Sequence, residues 1–160
     1  MIAKPQAEHQ WLHKLVGDWT MEMEATCGPD EPPTKLTGKE SVRSLGGLWT
    51  IGEGEGEMPG GGKSSSIMTL GYDPSQQRFV GTFVAGVMTF LWKYSGTLDA
   101  TQRILTLDTE GPSFTGDGTM VNYKDIIEFI DDDHRTLTSQ SQNADGSWTQ
   151  FMTAHYHRVK

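Results

Sequence analysis

The sequence predicts an all-β protein, a closed antiparallel up-and-down barrel of about ten strands. After residue 18, apolar and polar residues alternate with a period of two through most of the chain, which is typical of strands with one buried face. Turn signals such as Asp145-Gly146 separate the strands, and no predicted helix is longer than the first, so parallel βαβ units are not expected. Closure into a barrel removes the exposed edges that a row of sequential strands would leave.

The chain opens with a short amphipathic helix. Gly17 ends this helix, and the alternation of the first strand begins at Trp19. The helix spans residues 6–16 and carries its apolar face on Trp11, Leu12, Leu15 and Val16.

The other predicted strands follow in order, and the chain length fits a single domain over residues 1–160. Residues 52–63 are rich in Gly and Glu, so we expect the third strand to fade there into a mobile hairpin end or flap. The predicted strands after the first are 34–45, a third that begins at residue 48, 67–72, 78–85, 87–97, 104–110, 119–130, 136–142 and 148–159.

Several short motifs, together with the opening helix, resemble those of one bacterial family, known as domain of unknown function 1579. The resemblance runs from about His9 to Arg158 and implies a lipocalin-like barrel with no established activity. In such barrels a tryptophan plugs one end and a basic residue of the last strand covers it, which implies structural roles for Gly17 and Trp19 and a cation–π contact from Arg158. The motifs are Gly17-x-Trp19, Leu70-Gly71-Tyr72-Asp73-Pro74, Ser95-Gly96-Thr97-Leu98-Asp99 and Tyr156-x-Arg158.

Charge and composition exclude several classes of partner. Lys and Arg number 13 against 21 Asp and Glu, a net charge of −8 that argues against nucleic acid and anionic membranes. No apolar run approaches the roughly 18 residues of a membrane span, and the polar N-terminal segment lacks a secretory signal, so we expect a cytoplasmic protein. Cys27 is the only cysteine, and we expect it to pack as a small hydrophobe.

Two short motifs each lack a residue that the function they suggest requires. Gly62-Lys63-Ser64 resembles a phosphate-binding loop, but Glu57 stands where that loop needs glycine. His9 and His13 are one helical turn apart, yet Gln10 replaces the glutamate that a zinc protease needs. Nucleotide binding and metalloprotease activity are therefore not expected.

The histidines of the last strand leave a minor alternative. His155 and His157 share one face of the strand and could bind a metal or haem. The alternation of Met152, Ala154 and Tyr156 predicts that these apolar residues face inward and turn both histidines outward. Haem binding remains a minor alternative, and no cofactor or metal ligand is assigned.

The leading hypothesis is a cavity inside the barrel that binds a small, largely apolar ligand. Eight Met, five Trp, four Tyr and six Phe fall largely in the strands, and a barrel wider than about eight strands tends to leave internal space. We expect the flap to gate this cavity. Inward alternation and size predict these wall residues: Trp49, Met68, Leu70, Phe83, Phe90, Trp92, Tyr123, Met152 and Tyr156.

Two other function classes remain open. An enzyme performing acid–base chemistry would need a titratable group inside the barrel, for which Asp125, Glu40 and Tyr123 are the candidates, although alternation favours solvent for Asp125 and no catalytic residue is assigned. A homodimeric interaction module would bury an outward apolar face that includes Val87 and Leu91.

Overall fold

The computed structural model describes residues 1–26 and 31–160 and confirms a closed barrel of ten antiparallel strands. Each strand pairs with its sequence neighbours, and β1 pairs with β10 to close the ring. Cys27 lies outside the described residues. The elements are helix α1 (Ala7–Leu12), a 3₁₀ turn (His13–Leu15), β1 (Gly17–Ala25), β2 (Thr34–Leu45), β3 (Trp49–Glu57), β4 (Lys63–Asp73), β5 (Arg78–Ala85), β6 (Trp92–Leu98), β7 (Ile104–Pro112), β8 (Met120–Asp131), β9 (His134–Gln142) and β10 (Trp148–Arg158).

The helix and the 3₁₀ turn cover one end of the barrel, here called the closed end. Trp11 packs edge-to-face on Phe79 and Phe129, with ring centroids 6.0 and 5.6 Å apart. Leu12 and Leu15 are buried beside it. The apolar helical face predicted from the sequence therefore fills this end and leaves the opposite end of the barrel open.

Trp19 lies at the centre of the closed end and is 1% exposed. Its indole N–H donates to the Leu15 carbonyl oxygen at 2.9 Å. The guanidinium carbon of Arg158 lies 4.3 Å from the ring centroid, and that side chain donates to the Val16 carbonyl oxygen at 2.7 Å. Gly17 has φ +135°, and a Cβ there would lie 2.5 Å from Nη1 of Arg158, so the approach of Arg158 requires glycine.

The Gly- and Glu-rich segment is strand rather than the predicted flap. β3 continues to Glu57 and β4 starts at Lys63, so only residues 58–62 form the turn between them. The backbone ladder holds this segment although its inward residues, Gly52, Gly54 and Gly56, have no side chains to bury. The prediction that the third strand fades at residue 52 is therefore wrong, and the segment forms a regular hairpin end.

The connection between β5 and β6 is longer than the sequence predicted. β6 begins at Trp92 and not at residue 87 as predicted, which leaves residues 86–91 as a connection at the open end. Phe90 from this loop packs on Trp92 with ring centroids 4.9 Å apart.

Candidate functional site

A cavity of about 190 Å³ occupies the open end of the barrel. Its walls come from strands β5 to β10, and from the loops between β5 and β6 and between β7 and β8. Aromatic rings form most of the wall: Phe83, Trp92, Phe114, Tyr123 and Phe151. Polar side chains and one methionine complete it: Tyr94, Thr109, Asp125, Ser139 and Met88.

The aromatic rings hold one another by edge-to-face contacts. Tyr123 packs on Trp92 and on Phe114 with centroids 5.2 and 5.4 Å apart, and Phe114 packs on Phe151 at 5.2 Å. Phe114 is 69% exposed and Met88 39% exposed, so these two residues mark the mouth of the cavity. Such perpendicular ring pairs fix the shape of the wall.

Asp125 places a carboxylate in the cavity wall. The Tyr94 hydroxyl donates to its Oδ2 at 2.5 Å, and the Ser139 hydroxyl donates to its Oδ1 at 2.6 Å. Burial raises the pKa of Asp125, and the hydrogen bonds from Ser139 and Tyr94 lower it in part. The same burial, with the neighbouring Asp125, raises the pKa of the Tyr94 hydroxyl well above its ordinary value.

The expectation that Asp125 faces solvent is wrong. β8 places Asp125 on the face of Tyr123 and Ile127, and its cross-strand partner in β9 is Ser139. The carboxylate is stable inside because hydroxyl groups from β6 and β9 donate to it.

Two buried polar atoms of the cavity residues have no partner among the described residues. They are the indole nitrogen of Trp92 and the hydroxyl oxygen of Thr109. A buried polar group that lacks a hydrogen bond costs about 1–3 kcal/mol. Both atoms are enclosed within the wall and shielded from solvent.

Replacing Thr109 with valine is expected to raise the free energy of unfolding by about 1 kcal/mol, because it removes an unpartnered hydroxyl. The matched control is Thr69→Val, which removes a hydroxyl bonded to Thr82 at 2.7 Å and should lower that free energy. Urea unfolding of both variants measures the two shifts. A loss of stability in Thr109→Val equal to that in Thr69→Val would contradict the assignment.

A buried ion pair lies between the cavity and the closed end. Arg135, 4% exposed in its side chain, donates to Glu40 at 2.5 Å. Its guanidinium carbon lies 4.5 Å from the Trp19 ring and 4.0 Å from the Tyr156 ring. Burial raises the pKa of Tyr156. Beside the pair lies a second cavity of about 30 Å³, enough for one water, which Met68, Leu70 and Tyr156 help to line.

Apart from Trp49, the predicted wall residues occupy four different places in the structure. Phe83, Trp92 and Tyr123 line the open-end cavity, and Met68, Leu70 and Tyr156 line the small one. Phe90 supports Trp92 from the loop, and Met152 packs against the hydrophobic core.

Trp49 does not line the interior, and its prediction as a wall residue is wrong. It is 40% exposed, whereas the next residue, Thr50, is 2% exposed. Trp49 lies on the outer face, where its ring covers Gly71 so closely that a Cβ there would overlap it. Successive side chains of a strand point to opposite faces. An error of one residue in the predicted alternation therefore turns an outward side chain inward.

Sequence reasoning missed several residues of the cavity. Tyr94 and Thr109 follow inward residues at a spacing of two, a signal that could have identified them. Phe151 reaches the cavity beside an irregularity in β10, where the pairing with β9 shifts between Gln150 and Met152. Phe114 lies in a loop. Alternation identifies neither of these last two.

The histidines of β10 lie on the outer surface, as the alternation predicted. His157 lies opposite His134 of β9, their ring centroids 4.5 Å apart, and His134 Nε2 lies 2.9 Å from His155 Nδ1. Partial burial and the two neighbouring imidazoles lower the pKa of His134. In residues 1–26 and 31–160, no group of three or more His, Cys, Asp or Glu side chains is placed to hold a metal ion.

Other surface features bear on the remaining hypotheses. Val87 and Leu91, in the loop beside the cavity mouth, are 56% and 47% exposed. A homodimer through this face stays a prediction that sedimentation measurements can test. None of the helices in the described ranges is both long enough and apolar enough to cross a membrane.

Comparison with known proteins agrees with this architecture. A family model described as a protein of unknown function (DUF1579) matches residues 4–158. The chain resembles the crystal structure of Rv2717c from M. tuberculosis, with a TM-score of 0.69 and 15% identity over 98% of this chain and 100% of the other. No curated protein matches the sequence.

Two further solved structures share the fold at lower similarity. The S-type phycobiliprotein lyase CPES from Guillardia theta has a TM-score of 0.61 and 12% identity over 97% of this chain and 94% of the other. The structure of EF1p2_mFAP2b bound to DFHBI has a TM-score of 0.51 and 11% identity over 94% of this chain and 98% of the other. At these identities the likeness concerns the fold alone.

Proposed function

The chain belongs to the DUF1579 family of proteins of unknown function, and from this premise we propose that it binds a small, largely apolar ligand in the open-end cavity. The observation that carries the proposal is the aromatic wall around a space of about 190 Å³. Ligand sites are typically apolar concavities with a few polar groups that fix orientation. Asp125 and the hydroxyl groups of Tyr94 and Ser139 are such groups here.

The size of the cavity limits the ligand. An engineered protein cavity of about 150 Å³ binds benzene, so the enclosed part of this cavity fits one substituted ring. A larger ligand would extend through the mouth between Met88 and Phe114. The fold is compatible with such a role, since EF1p2_mFAP2b holds DFHBI.

The test is a nuclear magnetic resonance titration with benzyl alcohol as the probe. We expect saturable shifts in the backbone amides around the cavity. Gly111→Ala should weaken this binding by at least about tenfold, because the added methyl would overlap the Trp92 ring and force it to move. The control is Gly86→Ala in the loop between β5 and β6, where a new Cβ would lie 3.7 Å from the Ser65 carbonyl oxygen, an ordinary contact distance.

Two outcomes would contradict the proposal. One is an absence of saturable shifts at the cavity. The other is binding by Gly111→Ala that equals binding by Gly86→Ala, since the cavity wall would then play no part.

A second candidate is an enzyme that uses Asp125 as an acid or base, favoured by the burial of this carboxylate and the hydrogen bond that it accepts from the Tyr94 hydroxyl. Environments that shift the pKa of a carboxyl group are typical of such sites. Deuterium exchange into a ring ketone such as cyclohexanone, present in the natural protein and lost in Asp125→Asn, would support this candidate. Exchange at the same rate in both proteins would exclude Asp125 from the role.

A further inference from the structure

We propose that the ligand of the open-end cavity is a small organic cation, an amine with one ring, whose ammonium group donates to Asp125 between the aromatic walls. This inference rests on the proposed binding function and names the chemical class of its ligand. It follows from two properties of the cavity: an uncompensated carboxylate and a surrounding set of aromatic rings.

The carboxylate has hydrogen-bond donors but no counter-charge. Tyr94 and Ser139 are neutral, and each donates to one oxygen of Asp125, so further lone pairs remain free to accept. No Lys or Arg is among the described residues that line the cavity. The buried guanidinium of Arg135 is already paired with Glu40. A ligand cation would supply the missing charge, and a charge-assisted hydrogen bond is about twice as strong as a neutral one.

The raised pKa of Asp125 also favours a cationic ligand. Its pKa is raised because burial disfavours the charged form, and no positive charge opposes that effect. An ammonium group beside the carboxylate would stabilise the charged form. The same contact would relieve the cost of burying Asp125 and bind the ligand.

The aromatic walls suit a cation as well as an apolar ring. Trp92, Tyr123 and Phe114 form a continuous series of edge-to-face pairs next to the carboxylate, and Phe83 and Phe151 extend it. Ring faces attract ammonium groups at distances up to about 6 Å, and cages of aromatic residues recognise such ligands in other proteins. The same rings would pack against the apolar body of the ligand.

The free lone pairs of Asp125 argue against a hydrocarbon ligand. A hydrocarbon has no donor for them, whereas an ammonium group has three. The net charge of −8 also favours the approach of cations over anions.

The experiment compares benzylammonium with benzyl alcohol, two probes of similar shape, by isothermal titration calorimetry at neutral pH and low salt. We expect benzylammonium to bind at least about tenfold more tightly, as a charge-assisted contact implies. Asp125→Asn should reduce this preference to within about twofold while benzyl alcohol still binds. The control is Asp108→Asn, which removes the same charge from an exposed position on β7 and should leave both affinities unchanged.

Tyr94→Phe keeps the inference testable if Asp125→Asn does not fold. This variant removes one donor from the carboxylate and leaves its charge, so the preference for benzylammonium should persist. Equal affinity of the natural protein for both probes would overturn the inference and leave the proposed function standing. Failure of both probes to bind at the cavity would overturn the proposed function itself.

Discussion

Replacing Glu40 with methionine is expected to lower the free energy of unfolding by about 3–5 kcal/mol. Arg135 would remain buried, with a side chain 4% exposed, and would lose its only carboxylate partner among the described residues. Its Nε atom already lacks a partner there, so the variant would leave still more of the guanidinium unsatisfied. The π faces of Trp19 and Tyr156 would compensate only in part. Urea unfolding followed by tryptophan fluorescence measures the loss.

The double variant Glu40→Met with Arg135→Met separates charge from packing. Exchanging a whole buried ion pair for apolar residues of similar volume is often neutral or stabilising. We therefore expect the double variant to be more stable than Glu40→Met alone. A double variant as unstable as the single one would show that the loss arises from packing and not from the unpaired charge.

Replacing Trp92 with alanine is expected to weaken benzyl alcohol binding by roughly 30- to 100-fold, the equivalent of about 2–3 kcal/mol of lost aromatic contact and apolar burial. Trp92 lines the cavity and joins Tyr123 and Phe90 in ring contacts. The variant should still fold, because Trp92 lies at the open end, remote from the core around α1. Calorimetry measures the affinity, and circular dichroism checks the fold.

Trp49→Ala is the matched control for this prediction. Trp49 is also a strand tryptophan, but it lies on the outer face with 40% of its surface exposed. Its removal should leave the affinity for benzyl alcohol unchanged. A folded Trp92→Ala protein with the affinity of the natural protein would remove Trp92 from the binding site.

The barrel could be predicted from the sequence because its signals are local. Alternation with a period of two and turn residues such as Asp145-Gly146 depend only on neighbouring positions. The strand at residues 52–57 could not be predicted in this way, because Gly and Glu give no apolar–polar alternation. Its backbone hydrogen bonds to β2 and β4 hold it in place instead. An interaction between strands of this kind has no local signature.

The candidate site was predicted only in part for the same reason. Phe83, Trp92 and Tyr123 are large and alternate cleanly, and they line the cavity. Asp125 is stabilised inside by hydroxyl groups from two other strands, one in β6 and one in β9. Neither contact is visible in the residues around Asp125, so its polarity alone pointed this side chain toward water, although its spacing of two from Tyr123 placed it on the inward face.

The pairing of β1 with β10 also constrains how the chain folds. Nine of the ten strand pairs join neighbours in sequence, and only this pair joins the two ends. Because loop-closure entropy delays contacts between distant residues, the ring should be completed last. The N–H of Val159 donates to the Asp18 carbonyl oxygen at 2.8 Å, which places the end of the last strand beside the start of the first. The molecule thus suits circular permutation, with new termini in the exposed turn at residues 58–62.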